Sequence, residues 1–165
     1  MAATDVLVAS HEITYTYTRS TGPVIGAFLT ALRDRRIVGV RTADGRVLVP
    51  PAEYDPVTSE DLSEIVEVAD EGVVMTWAWN DTPRLGQPLD RPFAWALVKL
   101  DGADTGLLAA VDVGSADAMS TGMRVKAQWA DERVGSIRDL VCFEPCQDAH
   151  AAEVFADPDK SEGAA

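Results

Sequence analysis

A chain of 165 residues with a formal net charge of −13 suits one domain, or a small domain with an appendage. Its hydrophobic fraction of 47% is enough for a buried core, and its acidity disfavours general binding to nucleic-acid phosphates. No segment approaches the roughly 20 apolar residues that span a membrane, and two cysteines are too few for a disulfide scaffold. The N-terminus lacks the features of a signal peptide, so we expect a cytoplasmic protein that binds neither membranes nor nucleic acid.

The first third of the chain predicts an arm and one amphipathic helix. Alternation of β-favouring residues with threonines is typical of a short strand or an extended arm. The alternating residues are Ile13, Tyr15 and Tyr17. Ser20 and Thr21 offer N-cap hydroxyls, and Pro23 suits the first turn of a helix. Apolar residues then recur four apart, and we expect this helix to end near Arg36.

A hairpin is predicted next. The dipeptide Asp44-Gly45 is a strong hairpin signal, and it lies between two short β-favouring segments. A stiff, proline-rich connector follows over residues 50–56. Thr58 or Ser59 can then cap a short turn before the second half of the chain.

The hairpin and its connector resemble a zinc ribbon that lacks its metal ligands. The four ligand places correspond to Arg41, Asp44, Asp55 and Thr58. Arginine cannot bind a cation, and one or two hard oxygens do not replace four thiolates. We therefore predict no zinc, and we expect packing and hydrogen bonds to hold the hairpin. A salt bridge from Arg41 to Asp44 or Asp55 is one hypothesis for what replaces the metal.

From residue 71 the pattern is β throughout. The predicted strands are one that places Val73, Met75, Trp77 and Trp79 on one face, then Phe93–Leu100, 106–113, 122–129 and 137–143. A proline- and glycine-rich loop covers residues 80–91, and Ser115 can cap a helical turn before the fourth strand. Five strands with this turn predict a small barrel of the OB type.

The predicted fold is therefore mainly β, with four parts. Residues 1–19 form an N-terminal arm, and residues 20–70 form the helix and the degenerate, metal-free zinc-ribbon hairpin. Residues 71–146 form the five-stranded OB-fold barrel. Residues 147–165 are rich in alanine and acids, which is typical of a disordered tail.

Familiar catalytic motifs do not occur in the sequence: G-x-S-x-G, Walker A and G-x-G-x-x-G are all missing. Cys142, Cys146 and His150 have C-x3-C-x3-H spacing, but a proline interrupts them and no fourth ligand is near, which favours ordinary thiols. Asp139 and Glu144 are most simply solvated surface acids. We predict no catalytic, cofactor-binding or metal-binding residues in this chain.

Two groups of residues are candidates for binding a partner or an acyl-CoA. A basic cluster on an otherwise acidic chain could meet a CoA phosphate or an acidic partner surface, although pairing with Asp34 and Asp44 explains it as well. Most of the aromatic residues fit the core of a barrel, and the remainder could be exposed to contact a partner or an acyl chain. The candidate contacts are Tyr17, Arg33, Arg35, Arg36, Arg41, Trp79 and Phe93, and Arg46 completes the basic cluster.

The order and spacing of five segments resemble a known family. The segments are Tyr17–Arg41, Pro50–Pro56, Gly72–Trp77, Pro92–Asp101 and Gly122–Val125. Together they resemble the acyl-CoA-associated OB-fold group known as domain of unknown function 35. The resemblance implies an N-terminal helix, a rubredoxin-like zinc ribbon and a C-terminal OB-fold. The chain departs from the family at all four zinc ligands.

The resemblance also implies a function. Members of the family accompany thiolase-like proteins, so this chain is expected to be a non-catalytic accessory subunit of a lipid-transfer-type aldolase or thiolase acting on acyl-CoA in steroid side-chain degradation. The partner would perform the retro-aldol cleavage, while the ribbon and helix of this chain would supply much of the interface. The alternatives are a free-standing acyl-CoA-binding OB module and a single-stranded nucleic-acid-binding protein, the latter disfavoured by the charge of −13.

Overall fold

The computed structural model describes residues 9–18 and 20–146. Residues 9–18 are exposed and have no regular secondary structure, so the alternating residues form an arm and not a strand. The strand is not formed because the backbone of residues 9–18 pairs with neither of the sheets that follow. The predicted tail lies outside the described residues. No helix within the described ranges is long and apolar enough to cross a membrane.

Helix α1 spans Pro23–Arg33 and begins with proline at its first turn. Its N-cap is Gly22, and neither Ser20 nor Thr21 caps it through a side chain. Instead, Oε1 of Glu53 accepts the free backbone N–H groups of the first helical turn, at 3.2 Å from both Val24 and Ile25. This cap comes from a side chain of the connector and therefore links the helix to the hairpin region.

The helix ends earlier than Arg36 because the chain turns sharply. Arg35 has a φ of 58°, in the left-handed region, and the backbone N–H of Arg36 donates to the carbonyl of Ala31 at 3.0 Å. The apolar residues four apart form the buried face as predicted. These are Val24, Phe28 and Leu32.

A three-stranded antiparallel sheet follows, with strand order β2-β1-β3. Its strands are β1 (Ile37–Arg41), β2 (Val47–Leu48) and β3 (Glu64–Val68). The β1–β2 turn contains Gly45 with a φ of 91°, which confirms the predicted hairpin. A Cβ at Gly39 would lie 2.6 Å from the carbonyl oxygen of Leu48, so only glycine allows the two strands to approach this closely.

The outer edge of β2 is fastened to the barrel. Val47 donates its N–H to Oδ2 of Asp104 at 2.7 Å, and its carbonyl accepts the N–H of Asp104 at 2.8 Å. Val49 donates its N–H to Oγ1 of Thr105 at 2.7 Å and accepts the same hydroxyl's proton at 2.9 Å. These four bonds satisfy the backbone of an edge strand that would otherwise be unpaired.

The connector after β2 is organised by an aspartate. Asp55 is buried, and its Oδ1 accepts the N–H groups of Val57 at 2.7 Å and Thr58 at 3.2 Å. Asp55 therefore performs the capping that the sequence assigned to Thr58 or Ser59. The connector closes through a β-bridge between Tyr54 and Asp61.

The second half closes into a five-stranded barrel with strand order β4-β5-β6-β8-β7, as predicted for an OB-fold. Its strands are β4 (Glu71–Asn80), β5 (Phe93–Leu100), β6 (Gly106–Val111), β7 (Arg124–Trp129) and β8 (Leu140–Pro145). β4 pairs with both β5 and β7, and a parallel contact between β6 and β8 completes the closure.

Three details of the barrel differ from the prediction. A bulge between Val74 and Thr76 interrupts the shared face of β4, so Val74 is buried while Met75 points outward. The short 3-10 turn at Ala116–Ala118 forms, but Ser115 makes no side-chain cap. The last strand starts three residues late because residues 137–139 form another 3-10 turn.

The helix, the hairpin and the barrel share one hydrophobic core. Phe28 and Leu32 of α1 belong to the same buried cluster as Val74, Val98 and Phe143 of the barrel. Burial of this interface fixes the helix and hairpin against the barrel, since apolar area removed from water is the main stabilising contribution.

Candidate interaction surface

Most of the predicted basic cluster is paired with carboxylates of the same chain. Arg33 contacts Asp34 at 3.4 Å, and Arg36 binds Glu67 through two nitrogens at 2.9 and 2.5 Å. Within the described part of the chain, Arg35 has no such partner. The cluster is thus distributed over the end of α1, the residues after it, β1 and the turn before β2, while β3 supplies the carboxylates of Glu64 and Glu67. A phosphate at this place would compete with existing ion pairs.

At the former zinc-ligand places, the hypothesis of a salt bridge from Arg41 to Asp44 or Asp55 is wrong. Arg41 instead donates to Oε1 of Glu64 on the neighbouring strand at 3.0 Å and to the carbonyl of Gly45 at 3.2 Å. The guanidinium of Arg46 lies between the two aspartates, 2.7 Å from Oδ2 of Asp44 and 3.8 Å from Oδ2 of Asp55. A cationic side chain therefore bridges two of the four places that the resemblance assigns to zinc ligands.

Asp44 is the most perturbed carboxyl in this hairpin. Its carboxylate accepts the hydroxyl of Thr42 and the Nε–H of Arg46, and these two hydrogen bonds lower the pKa of Asp44 from 3.8 to about 2. Thr42 is itself buried, and its single hydroxyl proton is shared between the carboxylate of Asp44 and the carbonyl of Arg46, which lies 3.1 Å from Oγ1. The turn is thus held by hydrogen bonds that require an ionised carboxylate.

The three aromatic residues that were predicted to contact a partner differ in their exposure. Tyr17 is 79% exposed on the arm, whereas Trp79 is half-buried and packs against the barrel core. Phe93 is completely buried, so it lies beneath the surface and cannot contact a partner directly. It supports Trp95, whose ring is 5.1 Å away in an edge-to-face arrangement.

Trp95 forms one wall of a groove of about 470 Å³ on the outside of the barrel. β5 and β6 provide its floor, and the loop between β4 and β5 and the start of β8 provide its sides. The apolar lining includes Trp95, Leu108, Ala110, Ile137 and Val141. Arg138 supplies the charge in the lining, and the amide of Gln87 lies at the loop side. Leu108 and Ile137 are 62% and 51% exposed.

A buried aspartate fixes the loop that carries Ile137 and Arg138. Asp139 is 2% exposed and accepts three backbone N–H groups, from Val134 at 3.2 Å, Gly135 at 2.7 Å and Ser136 at 3.1 Å. Burial raises the pKa of Asp139, but these donors outweigh it, so the pKa is lowered. The prediction that Asp139 is a solvated surface acid is wrong, because it closes a capping box within the loop.

The two cysteines are free thiols, with Cys142 buried and Cys146 partly exposed. Burial raises the pKa of Cys142 to about 11, which disfavours the thiolate that a metal or an electrophile would need. His150 lies outside the described residues. In the ranges that the structure describes, no three metal-binding side chains come together.

Sequence reasoning did not identify the groove. Phe93–Leu100 is apolar on both faces, so its pattern does not show which side chains point into the barrel. One available signal was that a central strand with Trp95 and Leu97 on its outer face has apolar surface to cover. The positions of Ile137 and Arg138 depend on a 3-10 turn with a capping box, whereas the sequence pattern predicts a strand for these residues.

Comparisons with known proteins agree with this architecture. Residues 65–130 match the family model of the ChsH2 C-terminal OB-fold domain. A DUF35-family protein of unknown function from Sulfolobus solfataricus is 25% identical, with a TM-score of 0.53 over 65% of this chain and 78% of that chain. The Ltp2-ChsH2(DUF35) aldolase is 24% identical, with a TM-score of 0.57 over 77% of this chain and 98% of that chain. Among curated proteins, none matches the chain.

Proposed function

We propose, from the premise that the chain belongs to the OB-fold DUF35 family, that it is the accessory subunit of an aldolase complex whose other subunit is thiolase-like. The observation that carries this proposal is the likeness to the Ltp2-ChsH2(DUF35) aldolase, which extends over 98% of that chain. The likeness includes the region before the barrel as well as the barrel itself, since it covers 77% of this chain.

In the proposed complex the chemistry belongs to the partner. A base in the thiolase-like subunit takes the hydroxyl proton of a β-hydroxyacyl-CoA, and the bond between the α- and β-carbons breaks. The β-carbon leaves as a ketone or aldehyde, and its former bonding electrons become a thioester enolate that is then protonated. The present chain binds no cofactor in this scheme. Steroid side-chain degradation is the proposed setting.

In the described residues, the buried carboxylates and the buried hydroxyl of Thr42 have structural partners, which supports an accessory role. Asp55 accepts N–H groups of the connector, and Asp139 accepts N–H groups of the loop before β8. Thr42 is hydrogen-bonded within the hairpin turn. These groups stabilise backbone segments, and such a scaffold can present a fixed surface to a second protein.

Exposed apolar side chains near the helix and connector support a protein partner. Tyr15 and Tyr17 of the arm are 76% and 79% exposed, and Tyr54 and Val57 of the connector are 59% and 75% exposed. Aromatic residues of this kind are enriched in protein interfaces. We therefore propose that the arm, α1 and the connector form the principal contact with the thiolase-like subunit.

Co-expression with the thiolase-like protein encoded beside this chain tests the proposal. We expect co-elution as a defined hetero-oligomer in size exclusion, with a mass that gives the stoichiometry, and aldolase activity in the complex. Replacing Tyr15 and Tyr17 together by serine should weaken the complex without changing the fold. A chain that elutes alone as a folded monomer would contradict the proposal, and titration with acyl-CoA esters would then test the acyl-CoA-binding alternative.

A further inference from the structure

The groove beside Trp95 occupies the face that OB-folds generally use for ligands. That face consists of the second and third barrel strands, together with the loops that join strands one and two and strands four and five. In this barrel the corresponding parts are β5, β6, residues 81–92 and residues 130–139. All four contribute to the groove, through Pro88, Trp95, Leu108 and Ile137.

The lining of the groove favours an apolar occupant. Single-stranded nucleic acid requires a positively charged channel that follows the phosphates. This groove instead has Trp95, Ala110 and Val141 in its wall and Arg138 as its charged side chain, on a chain with a net charge of −13. An oligonucleotide would therefore be repelled over most of the surrounding surface.

The rim of the groove extends the apolar surface beyond the cavity. Leu108 is 62% exposed on the outer face of β6, and Ile137 is 51% exposed on the opposite side. A small molecule in the groove would leave much of both side chains in water. A polypeptide segment would cover the floor and both rims at once, as apolar anchors do in protein interfaces.

Arg138 favours a negatively charged residue in that polypeptide segment. Of the carboxylates in residues 9–18 and 20–146, none forms an ion pair with its guanidinium. Most other arginines near the helix and barrel already have an acidic partner, such as Arg91 with Asp112 and Arg124 with Asp101. A carboxylate beside an apolar side chain would complement this end of the groove.

The loop that carries Ile137 and Arg138 packs on helix α1, the element proposed to contact the partner. Arg133, at the base of the loop that forms one side of the groove, donates to the carbonyl of Arg33 at 2.9 Å. A Cβ at Gly135 would lie only 3.5 Å from the carbonyl oxygen of Leu29, so the loop packs closely on the helix. A subunit that covers α1 would therefore lie next to the loop that forms one side of the groove.

We propose that the groove binds a segment of the thiolase-like subunit, which places an apolar side chain against Trp95 and a carboxylate on Arg138. This inference rests on the proposed function, and it adds a second contact on the barrel to the contact made by the arm, helix and connector. The occupant is a protein segment, and the barrel thereby contributes to recognition of the partner.

The test uses the co-expressed complex and substitutions on exposed positions. Leu108→Glu places a charge at the rim, and Arg138→Glu reverses the charge that faces the carboxylate. Lys99→Glu is the matched control, because it makes the same change of charge at an exposed lysine of β5 that does not line the groove. Mass photometry during dilution gives the dissociation constant of each complex, and thermal unfolding of each variant checks its folding.

We expect Leu108→Glu and Arg138→Glu each to weaken the complex by about tenfold or more, with Lys99→Glu close to wild type. A photo-crosslinking residue at position 108 should attach to an acidic segment of the partner. Wild-type affinity in both groove variants would overturn this inference while leaving the proposed function intact. No complex with the unmodified chain would overturn both. Saturable binding of decanoate by the groove, with no effect of the variants on assembly, would identify a small-molecule site instead.

Discussion

The hydroxyl of Thr105 makes two of the four hydrogen bonds that attach the hairpin to the barrel, and Thr105→Val tests its contribution directly. Valine has the shape of threonine, so the change removes hydrogen bonding with little change in packing. The N–H and the carbonyl of Val49 would lose their partners at 2.7 and 2.9 Å, and Val49 is completely buried. A buried backbone group left unpaired costs about 1–3 kcal/mol. Two such groups give an expected loss of about 2–4 kcal/mol, reduced from the simple sum because Thr105 is partly exposed to water.

Urea unfolding at pH 7 measures this loss, and Thr105→Ser is the matched control because serine keeps the hydroxyl. In thermal unfolding, the expected decrease in Tm is about 5–15 °C for Thr105→Val, since 1 kcal/mol corresponds to about 2–4 °C in a chain of this size. Hydrogen exchange should also become faster at the amides of Val47 and Val49 than in the barrel strands. A loss below about 0.5 kcal/mol, or one equal to that of the serine variant, would refute the reasoning that this hydroxyl holds the hairpin.

Three further predictions concern the turn, the helix cap and the barrel. Asp44→Asn should destabilise the protein at pH 6, and its difference from wild type in unfolding free energy should disappear as the pH falls from about 4 to about 2, because protonation then removes the same interactions. Chemical denaturation across this range measures the difference, and Asp81→Asn is the matched control, at an exposed aspartate that forms no ion pair with the described residues. Glu53→Ala should cost about 1 kcal/mol in urea unfolding, since it removes the cap of α1, and an unchanged free energy would exclude this cap. Gly72→Ala should lower the free energy of unfolding by at least about 1–3 kcal/mol, because the added Cβ would lie 2.3 Å from the carbonyl oxygen of Lys99. Wild-type stability of this variant would contradict the observed pairing of β4 and β5.

The sign of the pH effect follows from the direction of the shift. The pKa of Asp44 is lower in the folded protein than its ordinary value of 3.8, so the folded state favours the ionised carboxylate. Its contribution is therefore complete above about pH 4 and is lost as the pH falls through about 2. The same sign applies to Asp139, whose pKa is also lowered.

The elements that the sequence predicted well are those specified by local patterns. The repeat of Val24, Phe28 and Leu32 located the helix, Asp44-Gly45 located the hairpin, and the succession of β segments identified the barrel. In each case residues that are neighbours along the chain determine the structure, through side-chain period or turn conformation.

The features that were missed depend on residues far apart in the sequence. Glu53 caps α1 by accepting the N–H of Val24, 29 residues before it, and Thr105 binds Val49 over a separation of 56 residues. Neither relation follows from spacing, because many acids and hydroxyls could serve equally well. Asp139 was misjudged because a buried carboxylate is favourable only when several donors surround it, and the donors come from the fold of its own loop.

The interactions that hold the hairpin also affect how the proposed partner would be recognised. A metal would stabilise such a hairpin from within, and structural zinc contributes directly to folding. Here the stabilising groups lie partly outside the hairpin, in Asp104 and Thr105 of the barrel, and partly in the ion pairs of Arg41 and Arg46. The orientation of α1 and the connector is consequently fixed relative to the groove. A partner that contacts both therefore meets two sites already in place, and less ordering on binding means higher affinity. Thr105→Val should for this reason weaken the complex as well as the fold.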